Sequence, residues 1–291
     1  MCAFGTTSRL TFRYQRSLVL SLFYSFPIAL PQDKKKNGSL ELQRRRAKLQ
    51  AGNAPAASRS SSDILLCFGD VVCLDHHMTN LRLACDIWVE TMPGKGVFSV
   101  SAVRGGARSP ATSRSAFKIV PPIGVMLSDD DPSPVPYGSP FRLEAMLAAD
   151  EESVAAGLLA PVPTCFLSST HKSERMSSRL TNRQVVYMAT GSTPDSLWTF
   201  ERAVFSQGPE SAEDKYFSKG QPVEVRFPCI EQLLPVHPYS LSDDRFSIDP
   251  LQWGVQVVIQ HMATRVPLLA DPKQTEYTDF GSECEVVCQV L

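Results

Sequence analysis

Apolar and polar residues alternate at period two through much of the chain beyond Ile64, and helical spacing is confined to one short stretch. The segment "LRLACDIWVE" puts Leu81, Leu83, Cys85, Ile87 and Val89 on one face, and "GVFSVSAV" alternates again. In "ILLCFGDVVCLD" two short apolar runs flank a Gly-Asp turn. The same patterning predicts strands in "AFKIV", "YGSPFRLEAML", "TCFLSST", "QVVYMAT", "LWTFERAVF", "PVEVRF", "FSID", "WGVQVVIQHM", "VPLLA" and "SECEVVCQVL". Short strands separated by turn residues predict a barrel or sandwich of hairpins, not alternating βα units. The 22 prolines, many in short clusters, argue against long helices over most of the chain.

A loose repeat runs through these strands. Four times a glycine opens a strand of similar character: "FGDVVCLDHHMTNLRLACD", "YGSPFRLEAMLAAD", "KGQPVEVRFPCIEQLLPV" and "WGVQVVIQHMATRVPLLAD". A strand, a turn carrying His, Asn or Thr, and a second strand make a trefoil-type unit. One unit alone leaves its apolar face exposed, so several must stack into one barrel.

Ahead of the β region the chain changes character. Arg13 and Arg16 precede the apolar run Leu18–Leu30, which resembles a secretory signal but lacks a clear small-x-small cleavage site. That run is interrupted by Pro27 and too short to cross a membrane, and no later stretch is apolar for long enough. Residues 34–50, "KKKNGSLELQRRRAKLQ", predict a short basic helix with Ser39 as N-cap. The small residues of "AGNAPAASRSSS" predict a flexible linker. The expected organisation is a disordered leader over 1–33, the basic helix over 34–50, a linker over 51–63 and a β domain over 64–291.

Charge sharpens that division. The whole chain of 291 residues has a net charge of −1, but residues 1–60 carry 11 Lys and Arg against 2 acids and the rest 18 against 28. A basic arm on a mildly acidic body favours a polyanionic partner such as nucleic acid, anionic lipid or an acidic protein surface. The candidate contact residues are Lys34, Lys35, Lys36, Arg44, Arg45, Arg46 and Lys48.

Eight cysteines, spread through the chain, read as reduced core residues and not as a disulfide framework. Cys284 and Cys288 fall on one strand face about 13 Å apart, too far to bond to each other. A zinc site could be drawn from Cys73, His76, His77 and Cys85, but adjacent histidines on a strand point to opposite faces. "RGGARS" and "PGKGVF" are β-loops and do not make a phosphate-binding loop. Ser139 in "YGSPF" reads as a turn residue. The acidic runs Asp129–Asp131 and Asp150–Glu152 read as solvated loops, and Trp88, Trp198 and Trp253 as core residues. Nothing in the pattern calls for catalysis, a cofactor or a metal, and no aromatic platform marks a nucleic-acid binder.

The order of these pieces resembles the cilia- and flagella-associated protein 161 family. "KKNGSLELQRRRAKL" matches its basic helix at Gly38, Leu40, Leu42, Gln43 and Arg44, and "FGDVVCL" its first strand. "FSVSAV", "AFKIV", "YGSPFRL", "CFLSST", Trp198 of "SLWTF", "VVIQHMATRVPLLA" and "DFGSECEVV" follow in the family's order over residues 34–291. The resemblance implies a non-enzymatic microtubule inner protein of the axoneme in cilia and flagella. It would bind α/β-tubulin and neighbouring inner proteins through a trefoil-like body and basic arm. The fold expected is all-β, a divergent or incomplete β-trefoil-like barrel behind a short basic N-terminal helix. The hydrophobic leader stands where the family has a glycine-asparagine-tryptophan-acidic segment. The chain also reaches Leu291 in mid-strand, where the family continues. These departures predict wrongly drawn gene boundaries, or else an unpaired barrel edge that a partner closes. The alternative reading is a secreted or ER-lumenal trefoil that binds glycans, with Trp88 or Trp198 as stacking shelf.

Overall fold

The computed structural model describes residues 32–56, 65–76, 79–105, 110–125, 133–173, 177–202, 223–226 and 250–289, with the side chains of 32–37 and 223–226 outside the described set. A helix, α1 (Gln32–Gly52), leads into twelve strands: β1 (Val71–His76), β2 (Leu81–Met92), β3 (Val97–Arg104), β4 (Phe117–Val120), β5 (Pro140–Ala145), β6 (Cys165–Ser169), β7 (Gln184–Thr190), β8 (Trp198–Arg202), β9 (Val223–Arg226), β10 (Gln256–His261), β11 (Leu268–Thr278) and β12 (Gly281–Cys288). A single helical turn, α2 (Glu151–Ala155), lies between β5 and β6.

Antiparallel pairing closes β1, β4, β5, β8, β10 and β9 into a ring, with β9 returning to β1. Three hairpins, β2–β3, β6–β7 and β11–β12, cover one end, and their strands β3, β7 and β12 pair with one another. A six-stranded barrel under a triangle of hairpins is a β-trefoil, as the repeat predicted.

The pseudo-threefold axis is drawn in backbone hydrogen bonds. Leu66 N–H donates to the Leu251 carbonyl, Leu251 N–H to Val135, and Val135 N–H to Leu66, each at 2.8 Å. All three side chains are fully buried. Each is followed two residues on by an aromatic residue and then a glycine: Phe68-Gly69, Tyr137-Gly138 and Trp253-Gly254. The glycines have φ of +94°, +70° and +77°, which a Cβ would strain. The sequence shows four such units, and the structure uses three of them as repeats. The fourth, around Lys219-Gly220, contributes only β9 to the described residues. That strand occupies the edge expected to be unpaired.

The barrel interior is apolar. Trp198, Phe117, Phe141, Phe200, Ile119 and Leu167 are all fully buried there, with Phe141 stacked on Phe200 at 4.0 Å between centroids. Trp198 donates its indole N–H to the Leu167 carbonyl at 2.8 Å and meets the His261 ring edge-on at 5.1 Å. Trp88 and Trp253 are partly buried against the same core.

Two expectations at the N-terminal end need correction. The helix begins at Gln32, so Ser39 lies in its interior and is not its N-cap; the lysine run upstream consists of good helix formers. The start of the supposed linker, 51–56, is fixed. Ser113 Oγ donates to the Ala51 and Gly52 carbonyls at 2.5 and 3.2 Å, and Ala56 N–H donates to Ala111. Residues 57–64 lie outside the described set, as do 1–31 and "FSID".

Candidate functional site

Residues 38–46 of α1 are exposed on every side of the helix, whereas Ala47, Lys48, Ala51 and Gly52 are buried against the body. The helix therefore stands out from the barrel and is anchored through its last two turns. Ala47 and Ala51 pack with Leu159 beside Trp88. Gly52 lies so close to the Phe280 ring that a Cβ there would sit 2.5 Å from it.

Ions complete the anchor. Lys48 Nζ lies 2.6 Å from both Asp86 Oδ2 and Asp279 Oδ2, with Lys48 only 6% exposed. It also sits 5.5 Å above the Phe280 ring, whose face the Arg114 guanidinium covers at 3.8 Å. Arg114 in turn makes a forked pair with Glu283 at 2.5 and 3.0 Å, and Ser101 Oγ donates to the same carboxylate at 2.7 Å. The Lys48 hydrogen bond holds the Asp279 carboxyl below its ordinary range against partial burial, and the charges of Lys48 and Arg45 add to it. Because Asp279 lies in the β11–β12 turn and Asp86 on β2, the hairpins of the third and the first repeat grip the helix together.

The predicted contact residues therefore divide. Arg44, Arg45 and Arg46 are each exposed, Arg45 with 58% of its side chain exposed while touching Asp279 at 3.3 Å. Lys48 turns inward onto the chain's own carboxylates and has no free charge to offer. Lys34, Lys35 and Lys36 lie on the first turns of α1, and their side chains are outside the described residues. Sequence reading missed Tyr277, 89% exposed at the hairpin tip that carries Asp279; nothing in "TEYTDF" separates it from the inward-turned Phe280.

Around the hairpin cap the carboxylates are occupied. A cavity of about 130 Å³ lies against the hairpin cap, lined in part by Ser101, Arg179, Glu276, Glu283 and Glu285. Glu283 is held by Arg114 and Ser101, Glu285 by Leu180 N–H and Thr181, and Glu276 by Arg179. Ser139 lies in the Gly138 turn, and Asp150 caps α2 by accepting from Ser153 N–H at 2.7 Å. Asp129–Asp131, Cys2, His77 and Cys229 lie outside the described set. Cys73 and Cys85 belong to separate apolar clusters, and no group of three or more metal-ligating side chains forms among the described residues. The six described cysteines are buried; burial raises the Cys85 and Cys288 thiols to about 12.

Neither a family model nor a curated protein matches the chain. Solved structures similar to it include the SDF2-like protein from Arabidopsis thaliana, 17% identical, covering 78% of this chain and 90% of that one at a TM-score of 0.44. A Caenorhabditis elegans protein of unknown function is 15% identical and covers 80% and 93%, also at 0.44. The Saccharomyces cerevisiae protein O-mannosyltransferase Pmt1-Pmt2 complex bound to the sugar donor is 10% identical, with 79% of this chain and 25% of that one covered, at 0.42.

Proposed function

We propose that this chain is a non-enzymatic structural protein, a microtubule inner protein of the axoneme that docks through its basic helix onto tubulin and neighbouring inner proteins. The observation that carries the reading is the helix itself. Nine consecutive exposed residues, 38–46, extend from a rigid anchor. An isolated helix of that length is marginal in water, and this stretch, which exposes Leu40 and Leu42 among its charges, bridges to another surface or frays. Arg44, Arg45 and Arg46 give it the charge to meet an acidic protein wall. Modest contacts of this kind, repeated along a polymer, add through avidity. The ordered run of motifs shared with the cilia- and flagella-associated protein 161 family supplies the particular polymer. The test is a C-terminal tag on the endogenous gene in detergent-extracted cells. Retention on the axoneme is expected; signal in the secretory pathway or the soluble fraction overturns the reading.

A second reading, a secreted or ER-lumenal glycan-binding trefoil, is favoured by the apolar run Leu18–Leu30 behind Arg13 and Arg16. Among the similar solved structures it has a counterpart in the sugar-donor-bound complex, at a TM-score too low to weigh. It needs cleavage of the leader and oxidised thiols. Counting thiols under denaturing, non-reducing conditions separates the two: eight free thiols are expected for the axonemal protein.

A further inference from the structure

Three strands hold equivalent places between the repeats. Phe117 of β4 pairs with Val72 of its own repeat and Ala145 of the next. Trp198 of β8 pairs with Phe141 and His261, and Val223 of β9 with Val257 and His76. The next residues follow suit: Lys118 meets Val71 and Glu144, Thr199 meets Pro140 and Gln260, and Glu224 meets Gln256 and Asp75. Counted from Gly69, Gly138 and Gly254, the register is the same all round the barrel.

What differs is where the strand comes from and what it carries. β4 and β8 each follow the hairpin of their own repeat, whereas β9 precedes the repeat that it completes. It is joined to β8 through residues 203–222 and to β10 through 227–255. At two alternate positions β4 has Phe117 and Ile119 and β8 has Trp198 and Phe200, all fully buried. At the corresponding register positions β9 has Val223 and Val225, which supply less apolar surface.

We propose that the slot between β1 and β10 is a strand-addition site, at which an extended segment of a partner protein displaces β9. The partner strand runs antiparallel to both edges and carries an aromatic residue, a polar residue and a second large apolar residue in succession, as β4 and β8 do. The backbone edges of Cys73–His76 and Gln256–Val257 give affinity, and the two apolar positions give selectivity. The inference does not depend on the microtubule reading.

The probe is a fluorescein-labelled peptide of residues 196–202, "SLWTFER", titrated into the full chain and followed by anisotropy. Saturable binding is expected, weakened at least tenfold in the variant Val223→Trp/Val225→Phe, whose upgraded β9 should also raise Tm. Glu224→Pro, which removes a ladder position from β9, should bind the peptide more tightly. The double variant carries the test if the proline variant does not fold. Absence of binding to the wild type, equal binding to the double variant, or equal binding of a peptide with Trp198 and Phe200 replaced by alanine overturns the proposal. A concentration-dependent dimer held by exchanged β9 strands also overturns it, because the occupant is then a second copy of this chain.

Discussion

The barrel interior and the α1 junction share the third repeat and are held by opposite means. Inside the barrel, large apolar side chains meet around an axis, with polar contacts such as the Trp198 indole N–H only finishing the fit. At the junction, the buried charged residues are Lys48, Asp86, Arg114 and Glu283, and the apolar contribution is Ala47, Ala51 and Leu159 flanked by the Trp88 and Phe280 rings. Burial of apolar area is tolerant of pH and salt, and loss of one group costs in proportion to the hole it leaves. A buried ion network is all-or-none, because deleting one partner leaves its opposite charge desolvated. The barrel can therefore persist when the helix is released, but the helix cannot stay seated without its charges.

The largest effect should come from breaking the apolar side. Trp198→Ala removes a fully buried ring and its hydrogen bond, and a loss of about 4–5 kcal/mol is expected in urea unfolding. Next, Glu283→Leu strands the buried Arg114 guanidinium; about 3 kcal/mol should be lost, with the Arg114→Met/Glu283→Leu pair recovering most of it. Lys48→Met is expected to cost about 2–3 kcal/mol, confined to the junction. Its signature is faster tryptic cleavage at Arg44–Arg46 while the barrel's near-ultraviolet circular dichroism is retained.

Acidification separates the two regions more gently. Burial lowers the His261 pKa below its ordinary value of 6.5. The native barrel then binds fewer protons than the unfolded chain, so its stability is full above pH 6.5 and declines as pH falls below it. Asp279 is shifted below 3.8 by Lys48, so the junction keeps its contribution until pH falls below that value and loses it through the folded pKa. Urea midpoints at pH 7.5 and 5.5 should differ in the wild type and converge in His261→Gln, with helix protection from trypsin unchanged over that interval. The smallest effect on stability, within about 0.5 kcal/mol, is expected for Arg44→Glu/Arg46→Glu, which leaves the Arg45–Asp279 contact in place. On the docking role proposed above, the same variant should lose axonemal retention in the cell, which divides docking from folding.

Much of the barrel was legible because period-two alternation and the aromatic-glycine turn are local signals. Phe68-Gly69, Tyr137-Gly138 and Trp253-Gly254 mark their strands without reference to anything distant. The role of the "KGQPVEVRF" unit was not legible, since a strand's partner depends on which edge is vacant. The anchor was hidden for a similar reason. Lys48 shares a helix face with Arg44 and differs in lying one turn nearer the body, and one of its partners, Asp279, is 231 positions away. Small residues at 51–56 read as a linker because they leave no pattern. Yet Gly52 is small because Phe280 leaves no room for a side chain.

The hydrogen-bonded triangle at the threefold axis also sets a schedule for biosynthesis. Leu66 cannot be capped until Leu251 exists, and Trp253 reaches the Leu65 carbonyl across 188 positions. At ribosomal speeds of about 5–20 residues per second, that interval is about 10–40 s. Throughout it, the first two repeats wait with apolar faces and strand edges bare. A nascent chain of this kind exposes aggregation-prone surface, so its yield should depend on how soon the third repeat arrives as well as on the stability of the finished barrel.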